Sequence, residues 1–294
     1  MKLRLIAPAK INWTLEVLGR RDDGYHEIRT VFQTIALHDT VVLSSASGLE
    51  LRLAGPTASV HDVPMEDDLA YRAARALREE AGDPSLGALI ELEKVVPASV
   101  GMGGGSSDAA AVLRGLNRLW RLGFDIARLH RIAAGLGSDV PFFLYGGTAL
   151  AGDRGDEVAP LADVAPLSLL VAVPRERLSQ KTERMYRRLR PEHYTSGERS
   201  DRLVEKLASG GAISDDDIFN VFEVVPLESM SLFSRLAEEC RGGGPCPHLA
   251  GSGSAFFLLA PPGDAVRQRL LQAGVELIET STLGAGASTA WEEL

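Results

Sequence analysis

Apolar and polar positions along the first half of the chain change period several times. Leu3 to Ala7, Thr40 to Ser44, Leu49 to Leu53 and Ala88 to Val95 read as strands, the last setting Ile90 and Leu92 between Glu91 and Glu93. Three stretches switch to helical spacing: Leu69 to Glu80, with Asp67 or Asp68 as cap, Asp108 to Arg121, and Ile126 to Leu136. In the second, Val112, Leu113, Leu116, Leu119 and Trp120 share one stripe while Arg114, Arg118 and Arg121 fall elsewhere, so burial of one face anchors it. The second half predicts strands at Leu167 to Val173, Ala255 to Ala260 and Val275 to Thr280. Its helices are expected near Thr182 to Leu189, Leu203 to Ala208, Ser229 to Arg241 and Asp264 to Ala273. Irregular mixing of the two element types predicts an α+β fold rather than a doubly wound sheet.

From Gly152 to Pro166 the composition turns to Gly, Asp, Ala and Pro, which marks a boundary. With 294 residues the chain is long for one core, so two units are expected, residues 1–160 and 161–294, around a shared cleft.

Charge and cysteine content narrow the function. A net charge of −9 opposes non-specific nucleic-acid binding, so any phosphate must be held locally. The two cysteines, Cys240 and Cys246, have neither the number for a disulfide framework nor zinc-ligand spacing. No apolar run approaches the ~18 residues of a membrane span, and the one near Met1 is too short for a signal peptide. A soluble, cytoplasmic protein is expected, without a membrane or nucleic-acid partner.

The strongest local signal is VPASVGMGGGSSDAAA, from Val96 to Ala111. Glycines at 101, 103, 104 and 105 remove the side chains that would keep an anion from backbone amides. Ser106, Ser107 or Asp108 would cap the helix that follows, whose free first-turn N–H groups favour phosphate. No lysine follows in P-loop register, and Ser106 stands where a dinucleotide fingerprint needs its third glycine. The remaining bland reading is a glycine turn that only caps a helix.

Four other segments draw attention. Pro8-Ala9-Lys10-Ile11-Asn12 puts a lysine and an amide just after the first strand; Gly24-Tyr25-His26 puts two rings beside a turn. Gly137-Ser138-Asp139-Val140-Pro141 holds a carboxylate between a helix end and a proline, and Leu249 to Ala255 is a second glycine-serine loop. Read alone, these are an exposed lysine, a packed tyrosine, a turn aspartate and a tight turn.

In order and spacing, PAKIN at 8–12, the Val96 to Ala111 run and LAGSGSA at 249–255 resemble the three motifs of the GHMP kinase superfamily. DDGYHEI at 22–28 and GSDVPFF at 137–143 resemble its branch that acts on a cytidine-diphosphate-linked methylerythritol. The resemblance implies an N-terminal domain like ribosomal-protein S5 domain 2, a ferredoxin-like C-terminal domain, and an active site between them. It implies transfer of a phosphoryl group from ATP, with Mg²⁺, to the 2-hydroxyl of that sugar alcohol by a monomer or weak homodimer. Lys10 and Asp139 would then be catalytic. Lys94, Pro97, Ala98, Ser99, Val100, Gly101, Met102, Gly103, Gly104, Gly105, Ser106 and Ser107 would hold the nucleotide, Ser107 beside Mg²⁺. Asn12, Tyr25, His26, Phe32 and Tyr186 would hold the cytidine substrate. The rivals are a homoserine or mevalonate kinase and a catalytically silent nucleotide-binding regulator.

Overall fold

The computed structural model describes residues 1–58, 63–175, 181–225, 231–240, 244, 246–259 and 263–294. Its elements run β1 (Lys2–Arg20), β2 (His26–Ser45), β3 (Leu49–Ala54), α1 (Leu69–Ala81), β4 (Ala88–Glu93), α2 (Gly104–Leu119), α3 (Ile126–Leu136), α4 (Val140–Tyr145), β5 (Thr148–Gly152) and β6 (Glu157–Pro160). There follow β7 (Ser168–Pro174), α5 (Lys181–Arg187), α6 (Glu198–Ala208), β8 (Phe219–Asn220), α7 (Ser231–Cys240), β9 (His248–Leu249), β10 (Phe256–Leu258), α8 (Asp264–Gln272), β11 (Val275–Ser281), α9 (Ala285–Ser288) and β12 (Trp291–Glu293).

Two sheets organise the chain. The larger has the order β12-β1-β2-β4-β3, with β5 on β2, β6 on β5 and β8 on β1; the smaller has the order β11-β7-β10-β9. Pairing is antiparallel except at β3 with β4, joined through α1, and at β1 with β8.

β1 is the spine. Leu3, Leu5 and Ala7 enter a core with α1 to α4, Ala9, Ile11 and Trp13 enter one between the sheets, and Leu15 and Val17 enter a third. β7 divides its residues similarly. Leu169, Val171 and Val173 face the core between the sheets, while Leu170 and Ala172 join Met185, Leu236 and Leu270 beneath α5, α7 and α8. Burial on both faces explains its unbroken apolar run. α2 sits so close to the large sheet that a Cβ on Gly115 would fall 2.3 Å from Leu43 Cδ1.

Several boundaries differ from expectation. PAKIN lies inside β1, not in a loop after it, and Thr40 to Ser44 is only the end of a long β2. α2 begins at Gly104, and its cap is Gly103 at φ 72°; Ser106, Ser107 and Asp108 are already helical. The reason is geometric, since only glycine takes that left-handed cap without cost. Asp68 does cap α1, accepting from Ala70 N at 2.8 Å. The expected helix at Ser229 to Arg241 and the strand ending at Ala260 extend outside the described residues at positions 229, 230, 241 and 260. Cys246 is held in a disulfide, a single crosslink and not a framework.

Candidate active site

β1 and β2 form a long antiparallel ribbon whose register shifts between Pro8 and Lys10 and again between Asn12 and Thr14. Such irregularities re-aim side chains. Here they release backbone donors: Lys10 N reaches Met102 O at 2.9 Å, and Asn12 N reaches Ala250 O at 3.1 Å. Both glycine-rich loops are thereby tied to the strand that carries the lysine. The loops also touch each other, for Ala255 N donates to Val100 O at 3.2 Å. A Cβ on Gly253 would fall 1.9 Å from Val100 O, so backbone meets backbone with no room for a side chain.

A cleft of about 1390 Å³ opens beside this junction. Lys10, Asn12, Tyr25, His26, Phe32, Gly101, Gly103, Asp139 and Tyr186 all line it. Residues from five distant stretches of sequence therefore meet in one place.

Lys10 is almost wholly buried and Asp139 about one-third exposed, with Nζ 3.7 Å from Oδ2. Asp139 is the N-cap of α4 by position, yet its side chain makes no capping bond and stays free to face the cleft. Burial lowers the Lys10 pKa from its usual value, and Asp139 opposes that by charge and hydrogen bonding. Nζ also donates to Asn12 Oδ1 at 2.7 Å and lies 5.2 Å from the centroid of the Phe32 ring. Phe32 is buried against Phe142 and forms the floor.

At the far end, Tyr25 is exposed, projecting from a turn in which Arg21 N donates to Tyr25 O. The Arg154 guanidinium lies 5.2 Å from its ring centroid. Tyr186 lies 5.0 Å from the His26 ring, and its other contact is an edge-on approach to Phe222 at 4.9 Å. Burial, and then the charge of Asp139, push the Tyr186 phenol upward, so it stays neutral. His26 is pushed down by burial and by Arg20.

The nucleotide set is only partly in the cleft. Gly101 and Gly103 line it, at φ 91° and 72°, and Ser99 too has a positive φ. Lys94 does not. Its Nζ is clamped between the Asp39 and Asp108 carboxylates, with all three side chains buried, so it cannot reach a nucleotide. Burial alone would lower the Lys94 pKa, but its two carboxylates outweigh it and hold the ammonium charged. Asp108 is pushed up to about 8, chiefly by burial. Asp39 also accepts from Val95 N and, at 2.7 Å, from Val96 N, fixing the entrance to the glycine loop.

Ser107 Oγ is buried without a hydrogen-bond partner. Among the described residues no group of three or more His, Cys, Asp or Glu is placed to hold a metal. An orphan hydroxyl at the first turn of α2 suits one ligand position on a Mg²⁺ held mainly by substrate phosphates.

Sequence reasoning missed Arg154, Asn220 and Glu223. Asn220 is buried and donates to Leu249 O at 3.2 Å and Gly251 O at 3.0 Å, and Glu223 Oε1 accepts from Leu249 N at 2.7 Å. Together they shape the start of the second glycine loop. The sequence holds no motif around them; β8, only two residues long, brings Asn220 there.

Residues 68–147 match the family described as GHMP kinases N terminal domain. A 4-diphosphocytidyl-2-C-methyl-D-erythritol kinase from Dehalococcoides mccartyi is 38% identical over 290 residues, which is 96% of this chain and 99% of that protein. The chain belongs to the 4-diphosphocytidyl-2-C-methyl-D-erythritol kinases. A crystal structure of a 4-(cytidine 5'-diphospho)-2C-methyl-D-erythritol kinase superposes with TM-score 0.73 at 37% identity, covering 96% of this chain and 99% of that one. A homoserine kinase from Cytophaga hutchinsonii superposes with TM-score 0.74 at 15% identity, covering 99% and 97%. That second likeness concerns the fold alone. This kinase therefore has the GHMP kinase fold, and membership implies ATP as phosphoryl donor. Among its described residues no helix is long and apolar enough to cross a membrane.

Proposed function

We propose that this kinase transfers the γ-phosphoryl group of ATP to the 2-hydroxyl of 4-(cytidine 5'-diphospho)-2-C-methyl-D-erythritol, a step of non-mevalonate isoprenoid precursor synthesis. The observation that supports it best is the Lys10 and Asp139 pair, 3.7 Å apart in a cleft that also holds Gly101 and Gly103, Tyr25, His26 and Tyr186. A homoserine or mevalonate kinase has no cytidine to hold and no use for those rings.

Phosphoryl transfer asks a protein for positioning and charge stabilisation. Asp139 accepts the hydroxyl proton as the transition state forms, because an alcohol is too weak an acid to ionise beforehand. The Lys10 ammonium pairs with the Asp139 carboxylate and donates a hydrogen bond to the attacking oxygen. The loop from Pro97 to Ser107 and the first-turn amides of α2 receive the ATP phosphates. Ser107 would hold a Mg²⁺ that neutralises phosphate charge. Tyr25 and Tyr186 sandwich the cytosine, the His26 backbone reads its edge, and Asn12 and Phe32 line the sugar-alcohol side. The cleft is lined from both stretches, 1–160 and 161–294, while β8 and β12 return the second stretch to the larger sheet.

The test is ADP release across a panel of the cytidine-diphosphate methylerythritol, homoserine and mevalonate. Turnover with the first alone supports the reading. Preference for either other alcohol overturns it, and no ADP release with any favours a silent nucleotide-binding regulator.

A further inference from the structure

A catalytic lysine 3.7 Å from its carboxylate needs something to fix its direction. Its second partner, Asn12, is an amide with two ends of opposite character, and only Oδ1 can accept from an ammonium. If that amide turned over, two N–H donors would confront the lysine. What prevents this lies one residue further in.

Asn12 Nδ2 is 2.6 Å from Thr30 Oγ1, and Thr30 Oγ1 is 2.5 Å from the Thr14 carbonyl. A hydroxyl has one proton, and a carbonyl can only accept, so the Thr30 proton goes to Thr14 O. Toward Asn12, Thr30 then presents lone pairs alone. Nδ2 must face it, and Oδ1 must face Lys10, to which it stands at 2.7 Å. The reversed amide would set donors against the ammonium and its own oxygen against an acceptor.

Thr14 is itself held in place. Its Oγ1 accepts from Val31 N at 3.0 Å and meets Ser200 Oγ at 2.8 Å, and Ser200 Oγ lies 2.8 Å from the buried Glu16 carboxylate. Asn12, Thr14 and Thr30 are each no more than 1% exposed, so bulk water cannot replace a lost partner. The register shift between Asn12 and Thr14 brings these side chains together.

We propose that Thr30 is a positioning residue for phosphoryl transfer: its hydroxyl, by donating to the Thr14 carbonyl, fixes the Asn12 amide with Oδ1 toward Lys10 and so aims the ammonium at Asp139. This rests on the reading of Lys10 and Asp139 as the catalytic pair. Thr30 touches neither substrate nor the reacting atoms; it acts through Asn12.

Thr30→Val removes the hydroxyl at nearly constant volume, and Thr30→Ser keeps it. The valine variant is expected to lose about tenfold or more in kcat while both KM values stay within about threefold. Among the described residues Asp139 is the charged group paired with Lys10, and the neutral Phe32 ring and the backbones of Gly251 and Met102 also lie beside it. Losing Oδ1 weakens the charged lysine, so the alkaline limb of kcat also moves to lower pH. A purely structural defect would lower Tm without that movement. Thr30→Ser should restore both kcat and the limb.

Wild-type kcat and pH profile in Thr30→Val, or equal damage from Thr30→Ser, would overturn the proposal. Should the valine variant not fold, nuclear Overhauser contacts in the wild-type protein decide. Asn12 side-chain amide protons near the Thr30 methyl support it, and the same protons near the Lys10 ε-methylene overturn it. Failure of the catalytic pair is separate: it would appear as retained turnover in Lys10→Ala and Asp139→Asn, whatever Thr30→Val does.

Discussion

Lys10 Nζ and Asp139 Oδ2 stand 3.7 Å apart although the lysine side chain is 6% exposed and the aspartate 34%. One comes from the middle of a buried strand and the other from the uncapped start of a short helix. The pair therefore has one member fixed by burial and one open to a substrate hydroxyl. Asp139→Asn is expected to lower kcat by roughly 10²–10⁴ with little change in KM, and Lys10→Ala similarly. Because the two act as a unit, the double variant should be little worse than the poorer single one. Single-turnover phosphoryl transfer measures this, and near-normal turnover in either single variant would sink the assignment.

Lys94 makes a contrasting prediction. Its ammonium separates Asp39 from Asp108, and removing it leaves two buried carboxylates face to face. Lys94→Met should cost on the order of 3–5 kcal/mol in urea unfolding, and adding Asp108→Asn should recover part of that by giving Asp39 an amide donor in place of the lost ammonium. A variant of unchanged stability with a raised KM for ATP would return Lys94 to the nucleotide.

The clamp on Lys94 also marks the limit of what the sequence made legible. The loop from Val96 to Ala111 stood out in its own local spacing, whereas Lys10, Asp139 and the second glycine loop stood out only through the resemblance of their segments to the motifs of a family. The strand around Lys10 did not, although Lys10, Asn12, Thr14 and Glu16 alternate with Ile11, Trp13, Leu15 and Val17. The sequence reads as a strand ending at Ala7, with the segment from Pro8 to Asn12 placed just after it. In the fold Pro8 sits at a register shift, where the ladder is interrupted anyway. Lys94 and Asp108 lie 14 positions apart and Asp39 a further 55 from the lysine, so no window joins them; only the packing of β2, β4 and α2 does. Asn220 and Glu223 were silent for the same reason.

The meeting of the two glycine loops is sensitive to a single methyl group. Gly101 has φ 91°, and a Cβ there would lie 2.6 Å from Gly253 N. Gly101→Ala must strain the backbone and part the loops at once. We expect KM for ATP to rise about tenfold or more, the loss of roughly one phosphate-binding contact. An unchanged KM for ATP in steady-state kinetics would mean that this loop does not receive the nucleotide.

Tyr186 has a ring partner on each of two sides, His26 at 5.0 Å and Phe222 at 4.9 Å. The Phe222 contact anchors the ring to the core, and its other contact borders the cleft. Base stacking on an aromatic ring contributes about 1–3 kcal/mol, so Tyr186→Ala should weaken cytidine-substrate binding by about tenfold or more, while Tyr186→Phe keeps it. Isothermal titration with the cytidine substrate distinguishes stacking from packing. Equal loss of affinity for ATP would point to a general collapse of the cleft instead.

Glu223 ties stability to pH through the second glycine loop. Its carboxyl is partly buried, which pushes its pKa from 4.5 up to about 8, while the bond from Leu249 N works the other way. The folded protein thus keeps a proton that the unfolded chain has lost. Between the two values the unfolded state binds fewer protons, so stability falls as pH rises. Below about pH 4 both states are protonated and the effect vanishes. Glu223→Gln keeps the acceptor for Leu249 N and removes the titration, so its Tm should match wild type near pH 4 and exceed it at pH 8. Each kcal/mol recovered corresponds to about 2–4 °C in a chain of this size or somewhat smaller. Since Leu249 leads into the loop whose Ala250 carbonyl holds Asn12 N, tightening it should also steady the strand that carries Lys10. A Tm difference that stays constant from pH 4 to pH 8 would show that Glu223 acts through packing and not through its proton.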